Sequence, residues 1–251
     1  MNWKIASFLS VAVLAFGAFT TANASLILDS FTYADGNLAG NTPSVGGTWT
    51  AHSGATSDIQ VVSGAAVANE ATGVQDDHSN FDGGFTDAAG NLLYSSYTVN
   101  VTAPTTTLTP VYFGMFLNGT SNFTSRVWVA APATVGDGYR IALSQGSSST
   151  AAGVVYSPDL AYGTTHTVAT SYDYTNKNGT LTVDGTPLGT TSDTGFSDAI
   201  TAYAFRQSAT AGNVVVTIDN LEVDAVVPEP ASLSLGLVAL GAMAAMGRRR
   251  K

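Results

Sequence analysis

The residues able to do chemistry are few, and their spacing says what that chemistry cannot be. The chain has no cysteine, so disulfides, thiol catalysis and thiolate metal sites are excluded. Its three histidines, His52, His78 and His166, form no H-E-x-x-H motif and no pair at metal-ligand spacing. No G-x-S-x-G marks a nucleophile elbow. Glycoside hydrolysis runs on a pair of carboxylates, one with a raised pKa. Between Ser25 and Val226 the only glutamates are Glu70 and Glu222, and neither opens an E-x-D-x-x-E motif. No catalytic residue is assigned; a secreted glycan-active hydrolase is the alternative reading.

One stretch is dense in oxygen ligands: Asp76-Asp77-His78-Ser79-Asn80-Phe81-Asp82-Gly83-Gly84. It resembles a calcium loop in composition but lacks EF-hand spacing and the closing Glu. A solvated, Asx-rich turn is the expectation, with one bound Ca²⁺ as the alternative. Asp29 and Asp219 form a second Ca²⁺ candidate if the first and last strands pair; hydrogen bonding across that seam is the plainer role. No metal ligand is assigned. Exposed aromatic faces could stack on sugar rings. Trp49, Trp128, Tyr156, Tyr162 and Tyr203 are the candidates, and Trp128, Tyr156 and Tyr162 are the glycan contacts expected here. Trp128 alternates with Val127 and Val129, so it belongs to the face opposite theirs.

The elements that must position these residues are strands. Tyr97, Val99 and Val101 alternate with Thr98, Asn100 and Thr102. Val111, Phe113, Met115 and Leu117 alternate up to a turn at Asn118-Gly119; Tyr139, Ile141 and Leu143 up to Gln145-Gly146. Val168, Thr170, Tyr172 and Tyr174 alternate up to Asn176–Gly179, and Leu181 and Val183 up to the hairpin signal Asp184-Gly185. Val214, Val216 and Ile218 lead to Leu221 and Val223 with the phase slipped by one, which predicts a bulge at Asp219-Asn220. Between Ser25 and Val226 no helical period is present. The expectation is an all-β, antiparallel β-sandwich of jelly-roll type over residues 25–226. Gly136–Gly138 and Ser144–Gly153 are expected to be loop tips.

Both ends read as addresses. In residues 1–24, Lys4 precedes an apolar Ile5–Phe19, and Ala22-Asn23-Ala24 is an A-x-A cleavage site, so the mature chain is expected to start at Ser25. Residues 227–251 begin with Val227-Pro228-Glu229-Pro230, which resists helix. Ala231–Gly247 follows without a charge, and Arg248-Arg249-Arg250-Lys251 closes the chain. As a helix the apolar run reaches roughly 25 Å, close to a bilayer core. A single transmembrane helix with its bases on the cytoplasmic side is expected.

This terminal order resembles the PEP-CTERM sorting signal of Gram-negative bacteria. The resemblance implies recognition by exosortase and the export machinery, a cut near Val227–Pro230, and delivery to the cell surface or an exopolysaccharide matrix. The motif residues are then substrate. A second resemblance covers the body. Asp29-Ser30-Phe31-x-Tyr33-x-Asp35-Gly36-x-Leu38-x-Gly40 with Gly46-Gly47-x-Trp49, Thr180–Gly185, and Ile218-Asp219-Asn220-Leu221-x-Val223 are similar to laminin-G/concanavalin-A-like jelly rolls. That implies a sandwich whose first and last strands pair, with a structural or glycan-binding role.

The exported part carries 4 basic and 17 acidic residues, a net charge of −13. Such a surface argues against nucleic acid as partner. It is compatible with neutral extracellular polysaccharide or divalent cations.

Overall fold

The computed structural model describes residues 21–54, 56–83, 90–118, 122–136, 138–146, 154–192, 199–208 and 213–228. Among these residues sixteen strands are formed: β1 Thr21–Asp29, β2 Gly36–Asn37, β3 Thr50–Ser53, β4 Gln60–Val62, β5 Ala65–Asn69, β6 Asp76–Asn80, β7 Leu92–Thr102, β8 Val111–Asn118, β9 Asn122–Ala130, β10 Arg140–Ser144, β11 Val155–Tyr156, β12 Thr165–Asp173, β13 Asn178–Val183, β14 Thr186–Ser192, β15 Ala202–Phe205 and β16 Val215–Pro228. They make two sheets. The nine-stranded back sheet runs β14-β13-β12-β7-β16-β5-β4-β2, with β1 also paired to β16. The seven-stranded front sheet runs β11-β10-β9-β8-β15-β6-β3.

The alternating residues are what closes the sandwich. Tyr97, Val99 and Val101 of β7 and Val216, Ile218, Leu221 and Val223 of β16 come from the back sheet. They meet Phe113 and Phe116 of β8, Val127 and Val129 of β9 and Ile141 and Leu143 of β10 in one buried cluster. Fully burying an aliphatic or aromatic side chain contributes about 1.5–3 kcal/mol, so this shared face outweighs any local propensity.

Several expected details are present. Asp184 (φ 49°) and Gly185 (φ 74°) form the two-residue β13–β14 hairpin with both central residues left-handed. The register of β16 against β7 shifts between Asp219 and Glu222, and Asn220 there has φ 55°. That extra residue keeps Ile218 and Leu221 both in the core. The first strand pairs with the last.

One expectation is corrected. Asp76–Asn80 is a strand with four buried residues, not a solvated turn. Pairing on both sides explains it: β6 lies between β15 and β3, so the ladder satisfies its backbone. Successive side chains then point to opposite faces, which splits Asp76 from Asp77 and keeps them from converging on one ion. Among the described residues no group of three or more His, Asp or Glu could hold a metal ion. The expected outcome of EDTA against millimolar Ca²⁺ is an unchanged Tm; a shift of several degrees would restore the calcium reading.

Tight backbone approaches fix some turns. Gly54, at φ 74°, lies where an added Cβ would stand 1.9 Å from the Val74 carbonyl oxygen. Gly54→Ala is therefore expected to cost about 2 kcal/mol or more, roughly 5 °C in Tm. A Tm within 1 °C of the parent would contradict this packing.

Ala22, Ala24 and Ser25 lie in β1, and Val227 and Pro228 end β16. Residues 1–20 and Glu229 to Lys251, hence Pro230, Arg248, Arg249, Arg250 and the expected membrane helix, lie outside the described residues. Within the described residues no helix is long and apolar enough to cross a membrane.

Candidate functional site

The outer face of the front sheet gathers the aromatic and cationic side chains. Register sets this. Tyr156 of β11 pairs with Ala142 of β10, Ala142 with Trp128 of β9, and Trp128 with Tyr112 of β8. One transverse row across four strands thus carries three aromatics around a small alanine. Tyr112 and Trp128 meet edge to face with centroids 5.0 Å apart. Trp128 Nε1 donates to Ser144 Oγ at 2.8 Å.

Trp128 does leave the inter-sheet core, as its alternation requires. It is nonetheless only 5% exposed, packed with Ala130, Ala142, Tyr112, Val154 and Tyr156. Tyr112 and Tyr156 are half-buried and form the accessible rings of the row. Sequence reasoning missed Tyr112, although its place between the inward Val111 and Phe113 carried the same signal of an outer face as that of Trp128. Tyr162 is elsewhere. It stacks on Tyr139 at 5.3 Å and lines a cavity of about 340 Å³ with Pro104, Leu108, Pro132 and Val135.

Arginines flank the row. The Arg206 guanidinium carbon lies 4.2 Å from the Tyr112 ring centroid, and that of Arg126 5.2 Å from the same ring. Arg140 lies 4.2 Å from the Tyr156 ring. These are cation–π distances. Arg140 also donates Nε to the Ala131 carbonyl at 2.7 Å and sits 4.0 Å from Asp159.

The other aromatic candidates are corrected. Trp49 and Tyr203 are each 1% exposed and belong to the core. Trp49 Nε1 donates to Asp29 Oδ2 at 2.6 Å, Tyr33 Oη to the same oxygen at 3.0 Å, and the Phe31 amide to Asp29 Oδ1 at 2.8 Å. The opening motif is thus a hydrogen-bonded hub around Asp29. Asp29 does not bridge to Asp219, which instead accepts from the amide of Asn220 through Oδ1 and from Thr98 through its carbonyl.

Beside the row is a buried polar cluster. Glu70 Oε2 accepts from the Ser208 amide at 2.6 Å, and Asp76 Oδ1 from the Gln207 amide at 3.2 Å. Gln207 accepts from the Asn69 amide at 2.9 Å and donates to the Ser57 carbonyl. Together they clamp the segment after β15 onto the end of β5. Burial pushes the Glu70 carboxyl up to about 8, against the opposing pull of the Ser208 amide and the Arg206 charge. Burial raises Asp77 to about 6 and lowers His52 to about 4. His52 and His78 meet edge to face at 5.1 Å. His166 Nδ1 pairs with Asp184 Oδ2 at 2.7 Å, but its buried Nε2 has no hydrogen-bond partner, so among the described residues no serine completes a triad.

Residues 226–251 match the model of the PEP-CTERM protein-sorting motif. The chain carries a PEP-CTERM sorting signal. That signal implies export and exosortase-dependent sorting, and its match begins within the last residues of β16, an inner strand of the back sheet. No curated protein matches the chain. Among solved structures the body is similar to part of a protein titled "Sialidase", at TM-score 0.52 and 14% identity, over 80% of this chain and 18% of that one. It is also similar to the binding domain of botulinum neurotoxin serotype D/C, at 0.52 and 8%, over 79% of this chain and 48% of that one. A third similar structure, at 0.50 and 8%, over 79% and 47%, is of botulinum neurotoxin type C, whose cell entry is described as dependent on two ganglioside molecules. The chain thus spans less than half of each. At these identities the likeness is one of fold, an antiparallel jelly roll.

Proposed function

We propose that this PEP-CTERM chain is a non-enzymatic protein of the cell surface or exopolysaccharide matrix, and that its jelly roll holds extracellular polysaccharide on the outer face of the front sheet. The observation that carries this reading is the row Tyr156–Ala142–Trp128–Tyr112. Its residues lie in one transverse row beside a small residue, with the half-buried rings of Tyr112 and Tyr156 at its two ends as the surface offered to sugar. The gangliosides named for the type C neurotoxin and the glycosidase name of the sialidase fit a saccharide as ligand.

The hydrolase alternative is disfavoured by the carboxylates. Glu70 has the raised pKa of a general acid but is fully buried and bonded to the Ser208 amide. A general acid must come within hydrogen-bond reach of its substrate.

The test is retention on the producer's own exopolysaccharide. The exported protein is expected to be retained, and Tyr112→Ala with Tyr156→Ala to elute at least tenfold earlier in ligand titration. Unchanged retention of the double variant would remove this face from the reading. Intact mass tests the processing: loss of residues 1–24 and a cut within Val227–Pro230 are expected. A full-length mass at the cell surface would refute it.

A further inference from the structure

The body has a net charge of −13, yet three of its four cations lie on one face. Arg126, Arg140 and Arg206 all flank the aromatic row, and Lys177 alone lies elsewhere, over Tyr174 at the β12–β13 turn. The seventeen acids, of which Glu70, Asp76 and Asp159 lie close to these arginines, make a repulsive background for any anion, so an anionic ligand would find its attraction on this face.

The acids nearest these arginines are already engaged. Asp76 accepts from Ser53 Oγ at 2.6 Å and from the Gln207 amide, and Glu70 from the Ser208 amide. Asp159 accepts from the amides of Ala133 and Thr134 at 2.6 and 3.0 Å. Among the described residues no acceptor is hydrogen-bonded to the Arg206 guanidinium. It is half-buried, held against the Tyr112 ring, and in contact with solvent. A guanidinium held over a ring by its carbon keeps N–H groups available, and these match a carboxylate in bidentate fashion.

We infer that the ligand of this face is a carboxylated polysaccharide of the uronic-acid type, whose carboxylates pair with Arg206 and Arg140, each guanidinium being held in place by the ring of Tyr112 or Tyr156. This rests on the glycan-binding reading and sharpens it from sugar in general to acidic sugar. It also reverses what net charge alone suggests, because binding responds to the local field and not to the sum over the surface.

The experiment uses the exported protein in affinity electrophoresis through gels containing sodium alginate, dextran or single-stranded DNA, at 50 and 500 mM NaCl. Strong retardation by alginate is expected, at least tenfold weaker retardation by dextran and DNA, and loss of most alginate retardation at high salt. Arg206→Gln and Arg140→Gln are each expected to weaken alginate binding about tenfold with the fold intact by circular dichroism, and Lys177→Gln to leave it unchanged. Equal retardation by dextran overturns the acidic-sugar inference and leaves the glycan reading standing. Equal retardation by DNA overturns it in favour of polyanion binding in general. Alginate binding indifferent to both arginine variants overturns the placement on this face. Retardation by none of the polymers overturns the inference, and absence of retention on the producer's exopolysaccharide as well overturns the glycan reading.

Discussion

Glu70→Gln is expected to stabilise the protein at pH 8 and to remove most of its loss of stability above pH 6. Glu70 is fully buried, with Oε2 bonded to the Ser208 amide and Oε1 without a partner. Its pKa rises from 4.5 to about 8. Between those values the native state holds a proton that the unfolded chain has released. Stability from this group is therefore complete below about pH 4.5 and is lost as pH rises through about 8. The slope approaches 1.4 kcal/mol per pH unit, so roughly 3 kcal/mol disappears between pH 5 and 8. Asp77, raised to about 6, acts in the same direction at lower pH. His52 acts oppositely. Its pKa falls from 6.5 to about 4, so stability is lost as pH drops through that window. The two acids outweigh the one histidine, so the three groups together make stability fall as pH rises from 5 to 8. Glutamine keeps an acceptor for Ser208 and cannot ionise. Urea unfolding at pH 5, 6, 7 and 8 checks this: an alkaline limb equally steep in the variant would show that Glu70 is not its source.

Trp49→Ala is expected to cost about 4 kcal/mol, or roughly 10 °C in Tm. The indole stacks on Phe205 at 5.4 Å and meets Phe31 at 6.2 Å. Its Nε1 supplies one of the donors on Asp29. Removing it leaves a cavity between the sheets and a buried carboxylate short of a donor. Trp49→Phe restores ring volume without the donor and is expected to lose about 1–2 kcal/mol. Polysaccharide retention per folded molecule is expected to be unaffected, because the ring faces the core. A Trp49→Ala protein that unfolds like the parent but no longer binds polysaccharide would contradict this assignment.

The two variants bear on different parts of the fold. Trp49 closes the sandwich through its opening motif. Glu70 and Gln207 close it through the segment after β15, where an added Cβ at Gly73 would lie 2.1 Å from the Gln207 side chain. Both are structural uses of residues that could otherwise suggest function: an aromatic read as a sugar platform and a carboxyl with the pKa of a general acid.

What was legible in the sequence is what depends on neighbours along the chain. Side-chain alternation has a period of two, so Tyr97–Val101, Ile141–Leu143 and Leu181–Val183 declared their inward faces without any partner. Asp184-Gly185 announced a left-handed hairpin turn, and the phase slip before Leu221 announced the bulge at Asn220. The Pro-Glu-Pro, apolar run and arginine cluster announced the sorting signal matched over 226–251. Each is a local constraint on φ, on facing or on charge.

What only the tertiary structure decided is which strands lie side by side. The order β11-β10-β9-β8-β15-β6-β3 brings Tyr156, Trp128, Tyr112 and Arg206 together from positions far apart in the chain. It also buries Asp76 and Asp77 in a doubly paired strand, because ladder hydrogen bonds stabilise a strand whatever side chains it bears. Strand order is set by how the largest apolar area is buried between two sheets, a sum over the whole chain that no single segment encodes. For the same reason a body of net charge −13 could gather three arginines on one face.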